Sequence, residues 1–245
     1  MKEFCMRLHI FFFLSISIFT ATLFSQVSSS QKLIVTLTDE WSSNKAIIYL
    51  FDKTKDGWRK KRGELSVSIG ENGLAWGEGV HPTQAGEFMK KEGDKRSPAG
   101  IFELDTVFYG LDATAPDGVR YPYLPLTDLT RCVDDSNSTA YNSIVEEDST
   151  KKDWNSAERM RAVAPDYKYV LVVKHNPRRE KGKGSCIFFH TINIPTSGCT
   201  SMDEEDMLTI LHWLDPKRKT LVVQLPHSEY HRLRTEWNLP LLLNN

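Results

Sequence analysis

The stretch Cys186-Ile187-Phe188-Phe189-His190-Thr191-Ile192-Asn193-Ile194-Pro195-Thr196-Ser197-Gly198-Cys199 holds a thiol and an imidazole nine positions apart. A β-rich run ends in His190, and a loop with Pro195 and Gly198 then presents Cys199. Ser201 with Glu204 three residues on fits a capping box, so a helix is expected to start just past the cysteine. A cysteine at a helix N-terminus faces unpaired N–H groups and the positive end of the dipole, and both favour the nucleophilic thiolate. The N–H groups of Gly198 and Cys199 can stabilise an oxyanion formed when sulfur attacks a carbonyl. Gly198 permits a sharp turn there, and His190 can take the thiol proton. The competing reading is structural: free cysteines often only pack, and a histidine at a strand end is often simply hydrogen-bonded.

Those residues need a scaffold. Leu33–Leu37, Ala46–Phe51 and Leu65–Ile69 read as strands, the last by its period-2 alternation. Gly100–Leu104, Tyr169–Lys174, Cys186–Phe189 and Leu221–Leu225 are further strand candidates. Asn44, Asp56-Gly57 and Asn72-Gly73 fall where turns are needed. Two helices are predicted, one over Trp154–Val163 and one over Met202–Leu214. In the second, Met207, Leu208, Ile210, Leu211 and Leu214 share a face. The stretch from Tyr109 to Lys152 lacks periodicity and reads as long connecting loops, which in compact domains are often functional. The basic stretch Pro177–Gly184 reads as a solvated hairpin, with contact to an anionic polymer as the alternative. The fold class is α+β, mainly β: strands with a few helices, in one domain over residues 31–245.

With 31 Lys+Arg against 32 Asp+Glu, the chain has no cationic surplus, which argues against nucleic acid as a partner. The first thirty residues, a short basic stretch, an apolar block and small polar residues, read as a secretory signal peptide. The cleanly apolar part, Ile10–Phe24, is shorter than the roughly 20 residues that span a bilayer, so no permanent membrane anchor is expected. The expected location is secreted or periplasmic. Cys5 leaves with the signal, and Cys132, Cys186 and Cys199 remain. In an oxidising compartment one pair plus one free thiol is the simplest assignment, without saying which cysteine stays free.

The segment His190…Thr196-Ser197-Gly198-Cys199 resembles the active-site signature of the L,D-transpeptidase (YkuD-type) catalytic domain, a His followed by [Ser/Thr]-x-Gly-Cys. Upstream, Gly93-Asp94-Lys95-Arg96-Ser97-Pro98-Ala99-Gly100-Ile101-Phe102 resembles that family's Gly-Asp-x-x-Thr-Pro-x-Gly-x-Phe element. The resemblance implies a mixed β-sandwich-like fold with a few helices, and a cysteine acyltransferase acting on peptidoglycan stem peptides. Cys199 would be the nucleophile, His190 the base, the Thr191 carbonyl the group orienting the imidazole, and Gly198 and Cys199 the oxyanion donors. It implies no metal and no cofactor. Thr196, Ser197 and Ser201 around the cysteine, with His175-Asn176 at a strand end, are the substrate-binding candidates. Many members carry a second His before the Gly and an Arg two residues after the Cys; here Ser197 and Ser201 stand there. The His–Cys interval is also short, which implies a divergent branch. Hydrolysis of the same bonds, or wall binding without catalysis, are the alternatives. Cys132 can pair with Cys186, or both can be buried thiols, and Trp154 is expected to be core rather than a sugar platform.

Overall fold

The computed structural model describes residues 27–61 and 63–242, so the expected signal peptide lies almost wholly outside the described residues. The folded body already includes Val27, buried in the core, whose carbonyl accepts the Ser30 hydroxyl at 2.7 Å.

Eight strands pair in a ring: β1 (Lys32–Thr38), β14 (Thr220–Pro226), β6 (Ser97–Gly110), β11 (Tyr169–Val173), β12 (Phe188–Thr191), β13 (Thr200–Met202), β4 (Leu65–Ser68) and β2 (Lys45–Thr54). β2 pairs back onto β1, so the expected sandwich is a sheet closed on itself. Closure leaves no free edge along the ring. β3 (Gly57–Lys60) extends from β2, and β5 (Leu74–Trp76) and β7 (Tyr123–Pro125) pair with β6. β1 and β14 run parallel and are buried at every position, which accounts for their near-continuous apolar sequences. β2, with one face toward solvent over its first half, alternates.

A second, small sheet is made of β8 (Thr130–Cys132), β9 (Ile144–Glu146) and β10 (Glu158–Arg159). It occupies part of the region expected to be loops. Its strands are two or three residues long, too short to show a period. The disulfide between Cys132 and Cys186 ties this sheet to the approach to β12, leaving Cys199 as the free thiol among the described residues.

The helix expected over Trp154–Val163 does not form. Glu158–Arg159 pairs with β8, and only Met160–Val163 makes a single 3-10 turn, with no side-chain cap. Ala164 precedes Pro165 and is extended, as a residue before proline prefers, and that ends the turn. Trp154 is buried, as expected.

The second expected helix is α1 (Glu204–Trp213). Met207, Ile210, Leu211 and Leu214 are buried, and Glu204, Glu205 and Asp206 in the first turn complement the dipole. The short helix α2 (His227–Leu233) follows β14. The Pro177–Gly184 segment is a solvent-facing connection from β11 to β12 whose Arg178 and Lys183 meet Glu180 and Glu78. No helix among the described residues is long and apolar enough to cross a membrane.

Candidate active site

β12 puts His190 within the barrel sheet rather than just beyond a strand, and β13 runs parallel beside it in the register Phe189↔Thr200 and His190↔Ser201. Cys199 immediately precedes β13 and so lies alongside Phe188. The Phe188 N–H donates to the sulfur at 3.3 Å, and the thiol donates to the Cys186 carbonyl at 3.4 Å.

The loop joining the two strands is held by its own polar groups. The Thr196 hydroxyl accepts the Gly198 N–H at 3.1 Å and donates to the Cys199 carbonyl at 2.7 Å. The buried Ser97 hydroxyl donates to the same carbonyl at 2.8 Å and accepts the Gly70 N–H at 2.8 Å. Gly198 has φ +147°, and a Cβ there would lie 3.1 Å from the Arg96 carbonyl oxygen, so glycine is demanded on both counts.

Three expectations change at this point. Cys199 does not sit at a helix N-terminus: β13 separates it from α1, which begins after Asp203. Ser201 is not a cap; it is fully buried in β13, and its hydroxyl donates to the Ile194 carbonyl at 2.6 Å, which removes it from the substrate face. The sulfur is not a ready thiolate either. Burial, reinforced by the Glu158 carboxylate, pushes the Cys199 thiol up to about 12, against a smaller opposing effect of the Phe188 N–H. Taking the sulfur out of water costs the anion more than one backbone donor returns.

Cys199 and His190 line one cavity of about 550 Å³, with Glu158, Tyr167, Ser197 and Lys90 among the other lining residues. The His190 Nδ1–H donates to the Thr191 carbonyl at 2.7 Å, which leaves Nε2 as the basic nitrogen. Thr191 is itself anchored: its N–H and its hydroxyl both donate to the Asp166 carbonyl, at 3.0 and 2.6 Å. Burial holds the imidazole below the usual histidine range, so it is neutral near pH 7 and able to accept a proton.

Thr196 and Ser197 line the cavity, Thr196 with its hydroxyl already committed. His175 and Asn176 do not. They line a separate cavity of about 430 Å³ that shares Cys186 and Ile187 with the first. His175 Nδ1 accepts the Glu78 N–H and its Nε2 meets the Lys183 carbonyl. The Asn176 amide bonds to Glu180 and Gly184 and closes the connecting loop. The polar atoms of both residues are thus satisfied by backbone, as buried polar groups generally are.

Several lining residues went unread in the sequence. Glu71, Glu92, Asp134, Glu158 and Asp166 give the cavity an acidic wall, against Lys90, whose ammonium is bound by Asp94 and the Lys91 carbonyl. Glu92 accepts the hydroxyls of Tyr141 and Ser185. Tyr167 packs on His190 with ring centroids 5.3 Å apart. These residues come from segments with no periodicity. For Gly93 in the wall and for Ser97 behind the loop a signal existed, their place in the Gly93–Phe102 element. No group of His, Cys, Asp or Glu among the described residues is arranged to hold a metal ion.

The L,D-transpeptidase catalytic domain (YkuD) family profile matches residues 42–223, a span that includes Ser97, His190 and Cys199. No curated protein sequence matches the chain. Among solved structures, the helical cell shape determining protein Pgp2 from Campylobacter jejuni is similar at 14% identity and a TM-score of 0.37, covering 84% of this chain and 54% of its own. A point mutant of Pgp2 gives a TM-score of 0.36 at the same identity. The chain thus spans about half the length of the structures it matches. Most of the barrel and the whole His190–Cys199 segment fall within the matched span, and the chain belongs to the L,D-transpeptidase (YkuD) catalytic-domain family.

Proposed function

We propose that the protein is an exported cysteine acyltransferase that acts on peptidoglycan stem peptides by L,D-transpeptidation. The observation that carries this reading is a reduced Cys199 sharing one cavity with a His190 whose Nδ1 is fixed by the Thr191 carbonyl. Export is supported by the pattern of the first thirty residues and by the Cys132–Cys186 disulfide, which suits an oxidising compartment.

In this reading the donor's carbonyl, in the peptide bond preceding a terminal D-alanine, enters beside the sulfur. Because the thiol holds its proton so firmly, sulfur attack and transfer of that proton to His190 Nε2 proceed together rather than through a standing thiolate. The Cys199 N–H stabilises the oxyanion; that of Gly198 is engaged by Thr196 and contributes only if that bond opens. The imidazolium then protonates the leaving amine, D-alanine departs, and a thioester remains on Cys199. An amine of a second stem attacks it, gives its proton to His190, and the sulfur recovers a proton as the new amide forms. The acidic wall favours an acceptor that arrives as an ammonium ion and passes one proton to a wall carboxylate before its nitrogen attacks. Thr196 and Ser197 are the loop positions nearest the donor; Ser201, His175 and Asn176 take no part.

The test is product analysis on defined muropeptides by mass spectrometry. Expected are a thioester on the Cys199 peptide, its loss in Cys199→Ala and His190→Asn, and a cross-linked product only when an amine acceptor is present. Products that ignore the acceptor reassign the enzyme as a carboxypeptidase or endopeptidase. Full activity in Cys199→Ala would sink the mechanism.

A further inference from the structure

Tyr167 and Glu158 meet where the small sheet borders the cavity of Cys199 and His190. Tyr167, which precedes β11, is 4% exposed. Its ring lies against His190 and stands edge-on to Phe188 at 5.7 Å, and Phe188 is the residue whose N–H holds the sulfur. Its hydroxyl donates to Glu158 Oε1 at 2.7 Å. Glu158 comes from β10, and both residues line the cavity with Cys199.

We propose that Tyr167 and Glu158 are positioning residues for the Cys199–His190 pair: the ring packs against one side of the imidazole, and the carboxylate that accepts its hydroxyl lines the same cavity as the sulfur. This rests on the reading of Cys199 and His190 as the reacting groups. A sulfur kept protonated resists oxidation, because the thiolate is the oxidisable form. That protection has value for an unpaired cysteine beside a disulfide.

The groups around the sulfur support this assignment. β12 and its approach contribute the Phe188 N–H and the Cys186 carbonyl to the sulfur, with His190 lining the same cavity. β10 contributes Glu158, with Asp134 close enough to discourage its ionisation further, although burial is the larger cause. Lys90 opposes Glu158 but is already bound to Asp94. Asp166 acts on His190 rather than on the sulfur. Glu158 is therefore the charged side chain that most strongly disfavours the thiolate, after burial itself.

The experiment is alkylation of Cys199 by iodoacetamide across pH, read on the Cys199 peptide by mass spectrometry with Cys199→Ala as the blank. It needs no peptidoglycan, so it fails or succeeds independently of the transpeptidase assignment. Glu158→Gln keeps an oxygen to accept the Tyr167 hydroxyl and removes only the charge. Its profile is expected to move to lower pH by about one unit, or roughly tenfold faster alkylation at a fixed pH below the midpoint. Glu158→Asp, which retains the charge, should stay nearer wild type. Tyr167→Phe keeps the ring but releases the carboxylate, and should shift the profile the same way by less; it also serves if Glu158→Gln does not fold. A Glu158→Gln or Tyr167→Phe profile superimposable on wild type overturns the proposal, as does equal displacement in Gln and Asp.

Discussion

Ser97 offers a sharp test of how the barrel holds the reactive loop. Its hydroxyl is fully buried and joins two chain segments, accepting from the Gly70 N–H and donating to the Cys199 carbonyl. In Ser97→Ala the buried Gly70 N–H loses its acceptor, a cost of about 1–3 kcal/mol for an unsatisfied buried donor. The Cys199 carbonyl keeps the Thr196 hydroxyl, so its loss is the smaller, about 0.5–1 kcal/mol. Together the expected destabilisation is about 1.5–4 kcal/mol. With a urea slope of about 3 kcal/mol/M for a chain of this size, the midpoint should fall by about 0.5–1.3 M without a change of slope. Ser66→Ala, at an exposed position of β4, is the control and should stay within about 0.5 kcal/mol. Thioester yield should fall with stability, because the carbonyl adjoining the reacting sulfur has lost one of two anchoring hydroxyls. A midpoint shift no larger than that of Ser66→Ala would refute the reasoning.

Gly198→Ala should cost about 1–3 kcal/mol, because φ +147° is strained for an L residue and the added methyl meets the Arg96 carbonyl; urea unfolding and alkylation rate should both change. Reducing the Cys132–Cys186 disulfide, which closes a separation of 54 residues, should remove up to about 4 kcal/mol in the chain-entropy account, read as urea midpoints with and without dithiothreitol. Burial lowers both His81 and His175 to about 4, below their unfolded value near 6.5. The unfolded chain therefore binds more protons below pH 6.5. Stability should be full above that pH and fall by about 1.4 kcal/mol per pH unit per histidine down to about pH 4. His175→Gln should flatten the slope measured by urea unfolding at successive pH values.

Local pattern was enough for the larger strands and for α1, whose apolar face is the one its spacing marks. The segment Trp154–Val163 misled for the opposite reason: its order comes from pairing with β8 and from burial of Trp154, neither visible in a local window. β13 was hidden because its three residues, Thr200–Met202, gain their strand geometry from lying beside β12.

The amino-acid order by itself determined the mainly β character and the family, and it singled out Cys199, His190 and the Thr191 carbonyl as the candidates for chemistry, because each depends on residue type and short spacing. Only the tertiary structure decided that the sheet closes into a ring, that Ser201 is buried in β13, that His175 and Asn176 line a second cavity, and that burial pushes the Cys199 thiol up. Ionisation and hydrogen-bond partnership depend on what lies across space. Ser97 reaches the Cys199 carbonyl, and Glu158 and Tyr167 the cavity that Cys199 lines, from distant parts of the chain that no local window brings together.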